Sequence, residues 1–141
     1  MWSLLPPLIA GIVAQLIKFV MEAGRGKFSW HQLTNYGGMP SAHSAFVVGL
    51  ATEVFLLNGP QSTTFAITVI LALIIIRDAT GYRQEISEHA KAINRLAEAA
   101  DHQAQILPHL KEKIGHRPLE ALVGGLIGIA VVLASHYFWQ V

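Results

Sequence analysis

Residues 119–139 read LEALVGGLIGIAVVLASHYFW, an apolar stretch of 21 residues with a single charged side chain. About 20 mostly apolar residues are enough for a helix to cross the hydrocarbon core of a membrane. Residues 2–21 meet the same criterion, and residues 44–57 and 63–76 reach the required length when their polar ends are included. The sequence therefore predicts an all-α, polytopic membrane helical bundle with about four transmembrane helices.

The composition points to the same class of protein. Hydrophobic residues make up 52% of the chain and charged residues only 13%, whereas a soluble domain carries about 25% charged residues. A length of 141 residues suggests one domain, so we expect residues 1–141 to form a single integral membrane domain. The net charge of +1 gives no indication of nucleic-acid binding, and the absence of cysteine excludes disulfides and thiolate metal sites.

The basic residues are segregated along the chain. All ten Lys and Arg residues fall either from the end of the first apolar segment to the following loop, or between the end of the third and the start of the fourth. In a four-span topology both regions lie on one side of the membrane, and the positive-inside rule makes that side cytoplasmic. The sequence predicts a multi-pass protein of the cell (inner) membrane with both termini outside.

Residues 84–107 form a polar stretch with apolar positions at helical spacing. These positions are Ile86, Ala90, Ile93, Ala97, Ala100, Ala104 and Leu107. A spacing of three or four residues gives a helix one apolar side. We therefore expect an amphipathic cytoplasmic helix lying on the bundle or on the membrane surface. The alternative is contact with a second copy, which would make the protein a homo-oligomer.

Residues 37–44, Gly-Gly-Met-Pro-Ser-Ala-His-Ser, are the first stretch that indicates chemistry. Gly38 lets the backbone approach a ligand closely, and Pro40 suits the first position of a helix. The amides at such a helix start, together with the Ser41 hydroxyl, favour an anion such as phosphate. His43 adds a group that can give or take a proton near neutral pH. The stretch predicts a phosphate site that contains an acid.

His116 and Glu120 stand four residues apart at the start of the last apolar segment, so they share one helix face. A carboxylate there can hold one imidazole nitrogen and direct the other outward, which prepares histidine as a nucleophile. Attack on phosphorus would form a phosphohistidine, and His43 could protonate the leaving oxygen. Cations must neutralise the phosphate oxygens. Three basic residues are available on the same side of the membrane: Lys18, Arg25 and Arg83.

Three motifs together identify a family resemblance. They are residues 37–44, residues 78–83 (Asp-Ala-Thr-Gly-Tyr-Arg) and residues 115–120 (Gly-His-Arg-Pro-Leu-Glu). In order and spacing, over nearly the whole chain, they resemble the divergent branch of the type 2 phosphatidic acid phosphatase superfamily, which is related to acid phosphatases and vanadium-dependent haloperoxidases. The resemblance implies a phosphatase-like membrane domain that works without a metal or other cofactor.

The first two superfamily motifs assign residues on either side of the first loop. Lys-x6-Arg-Pro supplies phosphate-binding cations, and it matches Lys18 and Arg25 with Gly26 in place of the proline. Pro-Ser-Gly-His matches at Ser41 and His43 with alanine in place of the glycine. The resemblance implies that Ser41 binds phosphate and that His43 is the general acid.

The third superfamily motif is Ser-Arg-x5-His-x3-Asp. It implies that His116 is the nucleophile and that Glu120, replacing the aspartate, orients it. Leu110 stands where the motif has its arginine. Three basic residues are candidates to replace that arginine: Arg83, Lys111 and Lys113. Arg83 is our choice because it belongs to the Asp-x-x-Gly-x-Arg signature of the divergent branch, in which Asp78 would hold Arg83 or contact the site.

The leading hypothesis is a lipid-phosphate phosphatase that hydrolyses a phosphomonoester or diphosphate at the cytoplasmic leaflet through a phosphohistidine. Candidate substrates are phosphatidylglycerophosphate, phosphatidic acid and polyprenyl phosphates. The alternative is a non-catalytic membrane protein that binds a lipid phosphate or serves in transport or as a scaffold. An ion or solute transporter would instead depend on Glu53, the one ionisable residue inside a span away from the basic side, since such residues are often functional.

Overall fold

The computed structural model describes residues 2–24, 38–99, 109–112 and 114–139, and all regular structure in these residues is helical. The helices are α1 (Leu5–Ala23), α2 (Ala42–Asn58), α3 (Thr63–Arg77), α4 (Arg83–Ala99) and α5 (Pro118–Trp139). A short 3-10 helix, Trp2–Leu4, precedes α1, and a π-helical segment, Asp78–Tyr82, joins α3 to α4. The predicted all-helical fold is confirmed.

Within the described part of the chain, three helices are long and apolar enough to cross a membrane: α1, the continuous helix Thr63–Ala99 and α5. The second apolar segment forms α2, which has 17 residues and is therefore about 25 Å long. That length lies at the lower end of the range for membrane-spanning helices. Because α2 packs against α1, α3 and α5, it occupies the centre of the bundle.

The bundle has small side chains inside and large apolar side chains outside. The buried apolar residues are Ala10, Ala14, Ala45, Val47, Ala72, Ala79, Ala90, Ala121 and Val132. Leucines and isoleucines face outward on α1, α3 and α5; Ile12, Leu73 and Leu122, for example, are 59–62% exposed. Small residues between helices allow close packing where lipid removes the hydrophobic drive for burial. This arrangement fits a bundle surrounded by lipid.

Glycines allow α5 to lie directly against α2. A Cβ atom on Gly124 would overlap the carbonyl oxygen of Ser41, and one on Gly128 would overlap that of Ala45. On the facing helix, a Cβ on Gly49 would lie 3.5 Å from the Gly128 oxygen. Two small residues four apart are the usual device for close approach of membrane helices. The contact brings the start of α2 against the first turns of α5.

The connection between α2 and α3 is a short turn. Gly59 has a φ of +77°, which a residue without a Cβ adopts readily. Ser62 then caps α3 by accepting a hydrogen bond from the Phe65 amide at 3.1 Å. The turn makes α2 and α3 an antiparallel hairpin, since α3 packs back against α2.

The predicted start of α2 is wrong by two residues. The helix begins at Ala42 rather than Pro40, and Ser41 is its N-cap. The Ser41 hydroxyl oxygen accepts hydrogen bonds from the Ser44 amide at 3.3 Å and from the Ser44 hydroxyl at 3.1 Å. A serine oxygen can satisfy a free amide of the first turn, so the helix begins after the serine and not at the proline.

The amphipathic helix is present as α4, and residues 100–107 of the predicted stretch lie outside the described residues. It is continuous with α3 instead of starting as a separate element. Of the apolar positions predicted on one side of this helix, Ala90 is buried against the protein, whereas Ile86 and Ile93 are 51% and 46% exposed.

The buried side of α4 carries Ser87, Ala90 and Asn94. The reason is hydrogen bonding: the polar side chains of this face bind the main chain of residues 110–115. Burying the Ile86 and Ile93 side instead would leave those main-chain groups without these partners.

Glu53, whose role the sequence leaves open, lies inside the bundle and is only 1% exposed. Its Oε2 atom is 2.9 Å from Nε2 of His136 on α5. The pair links the second half of α2 to the last turn of α5, whereas the motifs of residues 37–44 and 115–120 lie at the starts of these helices. A buried ionisable group needs a partner, so the contact with His136 gives Glu53 a structural role in holding α2 against α5.

We expect His136→Leu to destabilise the protein by about 3–5 kcal/mol, because it leaves the buried Glu53 without its partner. The double variant Glu53→Leu/His136→Leu should recover most of that loss, since it removes both polar groups together. Thermal unfolding in detergent measures both, with His89→Leu on the exposed part of α4 as the control. Additive losses in the double variant would contradict a coupled pair.

Candidate active site

Two main-chain hydrogen bonds bring the three chemistry-bearing motifs together at one end of the bundle. The Ser41 amide donates to the carbonyl oxygen of Glu120 at 3.1 Å. The His116 amide donates to the carbonyl oxygen of Ala79 at 2.9 Å. The start of α2, the first turn of α5 and the π-helical segment therefore meet at one place.

His116 and Glu120 form a side-chain pair at the start of α5. Nδ1 of His116 lies 3.1 Å from Oε2 of Glu120, and the two side chains are 9% and 15% exposed. The same oxygen accepts a hydrogen bond from the Arg117 amide at 3.1 Å, as a glutamate in the third helical position does in a capping box. Since Nδ1 faces the carboxylate, Nε2 faces away from it.

The segment before His116 is held by Ser87 of α4. The Ser87 oxygen accepts hydrogen bonds from the amides of Ile114 at 3.1 Å and Gly115 at 3.3 Å. A Cβ on Gly115 would lie 2.7 Å from the Gln84 amide nitrogen, so only glycine lets the segment approach α4 this closely.

Asn94, about two turns further along the same face of α4, holds the chain around Leu110. Its Oδ1 accepts from the Leu110 amide at 3.0 Å, and its Nδ2 donates to the Leu110 carbonyl oxygen at 2.9 Å and to Glu112 at 2.8 Å. Ser87 and Asn94 were not selected from the sequence, and Gly115 was noted only as part of the third motif. The available signal was a pair of polar residues seven apart, on the same helix side as Ala90.

Lys18 and Gly38 lie against each other between α1 and the start of α2. Lys18 is only 5% exposed. Gly38 has a φ of +97°, and a Cβ there would lie 3.0 Å from Cε of Lys18 and 3.1 Å from Oε1 of Glu22. The backbone conformation therefore favours glycine at this position, and a side chain there would displace the ends of Lys18 and Glu22.

Asp78 and Arg83 frame the π-helical segment. Nε of Arg83 donates to Oδ2 of Asp78 at 2.7 Å. The Arg83 side chain is 34% exposed and the Asp78 side chain is 42% exposed. Short π-helical segments inside α-helices are frequent at functional sites. Ala79 belongs to this segment, and its carbonyl oxygen accepts a hydrogen bond from the His116 amide.

His43 lies among these charged groups. The charges that act on its ring belong to Arg83, His116, Lys18 and Asp78. His43 lies in the first turn of α2, two residues after Ser41. It is exposed to solvent, so its ring is accessible to a ligand at this end of the bundle.

The structure brings together most of the residues selected from the sequence. The cluster contains Lys18, Gly38, Ser41, His43, Asp78, Arg83, His116 and Glu120. Ser41 is fully buried, and its oxygen caps α2. Arg25 and Lys113 lie outside the described residues, and Lys111 is exposed.

A polar cavity of about 360 Å³ opens beside His116, between α4 and the start of α5. Its walls include both acidic and basic side chains: Glu88, Lys91, Glu112, Arg117 and Glu120. Ligand sites commonly have volumes of about 300–1,000 Å³, so the cavity is large enough for a polar head group.

These features define an all-helical membrane protein with a histidine–carboxylate pair among basic residues at one end of the bundle. The sequence model of the Divergent PAP2 family matches residues 2–131, and the chain belongs to this family. It is 40% identical to the membrane protein YuiD of Bacillus subtilis (strain 168) over 154 aligned positions, which cover 99% of this chain and 96% of the relative. No solved structure matches the chain.

The family predicted from the three motifs is therefore confirmed, as is the membrane class of the fold. Membership relates the protein to the phosphatases of the PAP2 superfamily.

Proposed function

We propose that the protein is a lipid-phosphate phosphatase in which His116 is the nucleophile. The observation that carries the proposal is the 3.1 Å contact between Nδ1 of His116 and Glu120, which directs Nε2 away from the carboxylate. A histidine oriented in this way is prepared for attack. The charged groups around His43 supply the rest of the chemistry.

In the first step, Nε2 of His116 attacks the phosphorus of a lipid phosphomonoester. The P–N bond forms as the ester P–O bond breaks, and protonated His43 gives its proton to the leaving oxygen. Glu120 stabilises the positive charge that develops on the His116 ring. With a lipid diphosphate, the leaving group is the lipid monophosphate.

In the second step, water attacks the phosphohistidine. Neutral His43 takes a proton from the water, the P–N bond breaks, and inorganic phosphate leaves with His116 regenerated. Each cycle consumes one water, and His43 ends with the proton it had at the start. The scheme needs no metal or other cofactor.

Basic side chains would hold the phosphate through both steps. Lys18 and Arg83 are the cations of the cluster, and Asp78 keeps Arg83 in position through the 2.7 Å hydrogen bond. Gly38 would let the main chain approach the phosphate, and Ser41 would hold the start of α2 in place as its N-cap. Arg25 is the further cation expected from the first motif. Charge neutralisation of this kind is the main protein contribution to phosphoryl transfer.

The proposed setting is the cytoplasmic leaflet of the cell membrane, with both termini outside. It rests on the segregation of all ten Lys and Arg residues and on the positive-inside rule. The substrate class would be membrane lipids with a terminal phosphate: phosphatidylglycerophosphate, phosphatidic acid or polyprenyl phosphates.

The test is phosphate release by the purified full chain in lipid nanodiscs, assayed with each of these lipids in the presence of a chelator. We expect release from at least one lipid and inhibition by vanadate, which resembles the transition state of phosphoryl transfer.

A second candidate, a binder without turnover, is favoured by Leu110, which stands where the superfamily motif has arginine. Lipid-phosphate binding with no vanadate-sensitive release would support that candidate instead.

Arg83→Ala should lower kcat/KM by roughly 100-fold or more, the usual cost of losing a group that stabilises transition-state charge. Lys111→Ala is the matched control and should change kcat/KM less than about twofold, because exposed charges contribute little. Steady-state kinetics on the preferred lipid measures both. A larger loss with Lys111→Ala than with Arg83→Ala would mean that Lys111, and not Arg83, takes the place of the motif's arginine.

A further inference from the structure

An apolar cleft runs between α3 and α5 on the outer surface of the bundle. Both helices pack against α2 rather than against each other, so a gap of about 330 Å³ remains between them. Val48 of α2 lies at its base, Ile76 forms the α3 side, and Leu122 and Leu126 form the α5 side. The two leucines are 60% and 57% exposed, so the cleft is open toward lipid.

The lining of the cleft suits a hydrocarbon chain. Its one hydroxyl belongs to Thr80, and that hydroxyl donates to the Ile76 carbonyl oxygen at 2.8 Å. Gly125 lies close to Val48 at the base of the cleft, since a Cβ on Gly125 would be 3.3 Å from Cγ2 of Val48. The cleft therefore offers apolar contact and no free hydrogen-bonding side chain among its described lining residues.

The position and length of the cleft relate it to the candidate active site. Its α5 wall runs from Pro118 to Ile129, which is roughly 16 Å at about 1.5 Å per residue. That is about the depth of one leaflet of a ~30 Å hydrocarbon core. At the Pro118 end, Thr80 follows Ala79, whose carbonyl oxygen binds the His116 amide. A chain lying in the cleft would thus begin at the level of His116.

We propose that this cleft binds one hydrocarbon chain of the lipid whose phosphate reaches His116. The inference rests on the proposed phosphatase function for the identity of the head group, and on the cleft alone for the chain. Burial of apolar surface favours binding in proportion to the area buried, so the cleft supplies affinity while the charged cluster selects the phosphate. The site would accept lipids by lateral entry from one leaflet.

The experiment uses the full chain in nanodiscs with a phosphatidic acid that carries a photoactivatable group in its acyl chain. Mass spectrometry locates the labelled residues. We expect labelling of α5 around Leu122 and Leu126, and weaker labelling by a diacylglycerol with the same chain, because it has no phosphate to anchor it. Leu126→Trp fills the cleft from a lipid-exposed position and should reduce the labelling several-fold.

Leu133→Trp is the matched control. Leu133 lies seven residues further along the same exposed side of α5, is 48% exposed, and is beyond the cleft lining. It should leave the labelling pattern unchanged. Equal labelling by phosphatidic acid and diacylglycerol, or equal effects of the two tryptophan variants, would overturn the proposal, as would labelling spread evenly over all lipid-facing helices.

Kinetics separates this inference from the proposed function. Leu126→Trp should raise KM for long-chain phosphatidic acid several-fold and leave the hydrolysis of a water-soluble short-chain analogue unchanged. If the unmodified protein releases no phosphate from any lipid but shows the expected labelling, the phosphatase proposal fails and the chain-binding cleft stands. If it releases phosphate but Leu126→Trp leaves both labelling and KM unchanged, the cleft proposal fails and the phosphatase proposal stands.

Discussion

His116→Ala should abolish phosphate release from lipid phosphates while the protein remains folded. When several catalytic residues act together, removing the nucleophile lowers kcat by a factor on the order of 10³–10⁶. The structural cost is small by comparison, because the variant loses one side-chain hydrogen bond to Glu120, worth about 1–3 kcal/mol. Glu120 still accepts from the Arg117 amide, so the start of α5 keeps its cap.

The measurement is phosphate release, together with quenched reactions on ³²P-labelled substrate that trap a phosphohistidine. His89→Ala is the control, since His89 lies on an exposed part of α4 and should leave both readouts unchanged. Release by His116→Ala at the rate of the unmodified protein would disprove the mechanism.

His43 can be distinguished from the nucleophile by the choice of substrate. A phosphate ester with a good leaving group needs no acid in the first step. His43→Ala should therefore still form the phosphohistidine from such an ester but hydrolyse it slowly, so that the labelled protein accumulates. His116→Ala should form none from any ester.

The sequence was sufficient to locate the chemistry-bearing residues, because each motif lies at the start or end of an apolar segment. His116 and Glu120 are local in sequence, and their spacing alone brings them together on a helix. Asp78 and Arg83 are also local in sequence, but they are five residues apart, and a regular α-helix brings together side chains three or four apart. Their contact depends on the segment between them. This segment is a π-helical turn that joins α3 to α4, a feature that local residue patterns do not specify.

The residues that the sequence did not reveal act across long chain separations. Ser87 and Asn94 hold main-chain groups 16–28 residues away, and nothing in the local pattern of α4 identifies those partners. The isoleucines of α4 were expected to face the bundle or the membrane surface, because burial usually follows hydrophobicity. Near a membrane this rule weakens, since lipid covers apolar side chains as well as a protein core does, and hydrogen bonding decided which side of α4 packs inward.

Gly124→Ala should destabilise the bundle and lower activity, although alanine favours a helix by about 1 kcal/mol relative to glycine. The added Cβ would overlap the carbonyl oxygen of Ser41, a main-chain atom that cannot move aside as a flexible side chain can. The first turn of α2 must then shift away from α5. This shift would break the hydrogen bond from the Ser41 amide to the Glu120 carbonyl oxygen and separate His43 from His116.

Thermal unfolding in detergent and phosphate release measure the two consequences. We expect a lower unfolding temperature and a loss of activity of roughly 100-fold, since a displacement of about 1 Å in a catalytic group has this effect. Gly11→Ala is the matched control: its added Cβ would lie 3.5 Å from the nearest atom, Cβ of Phe46, which is ordinary contact. Because both changes add the same methyl group to a helix, propensity alone predicts equal stabilisation, and only the close approach of α5 to Ser41 predicts opposite signs.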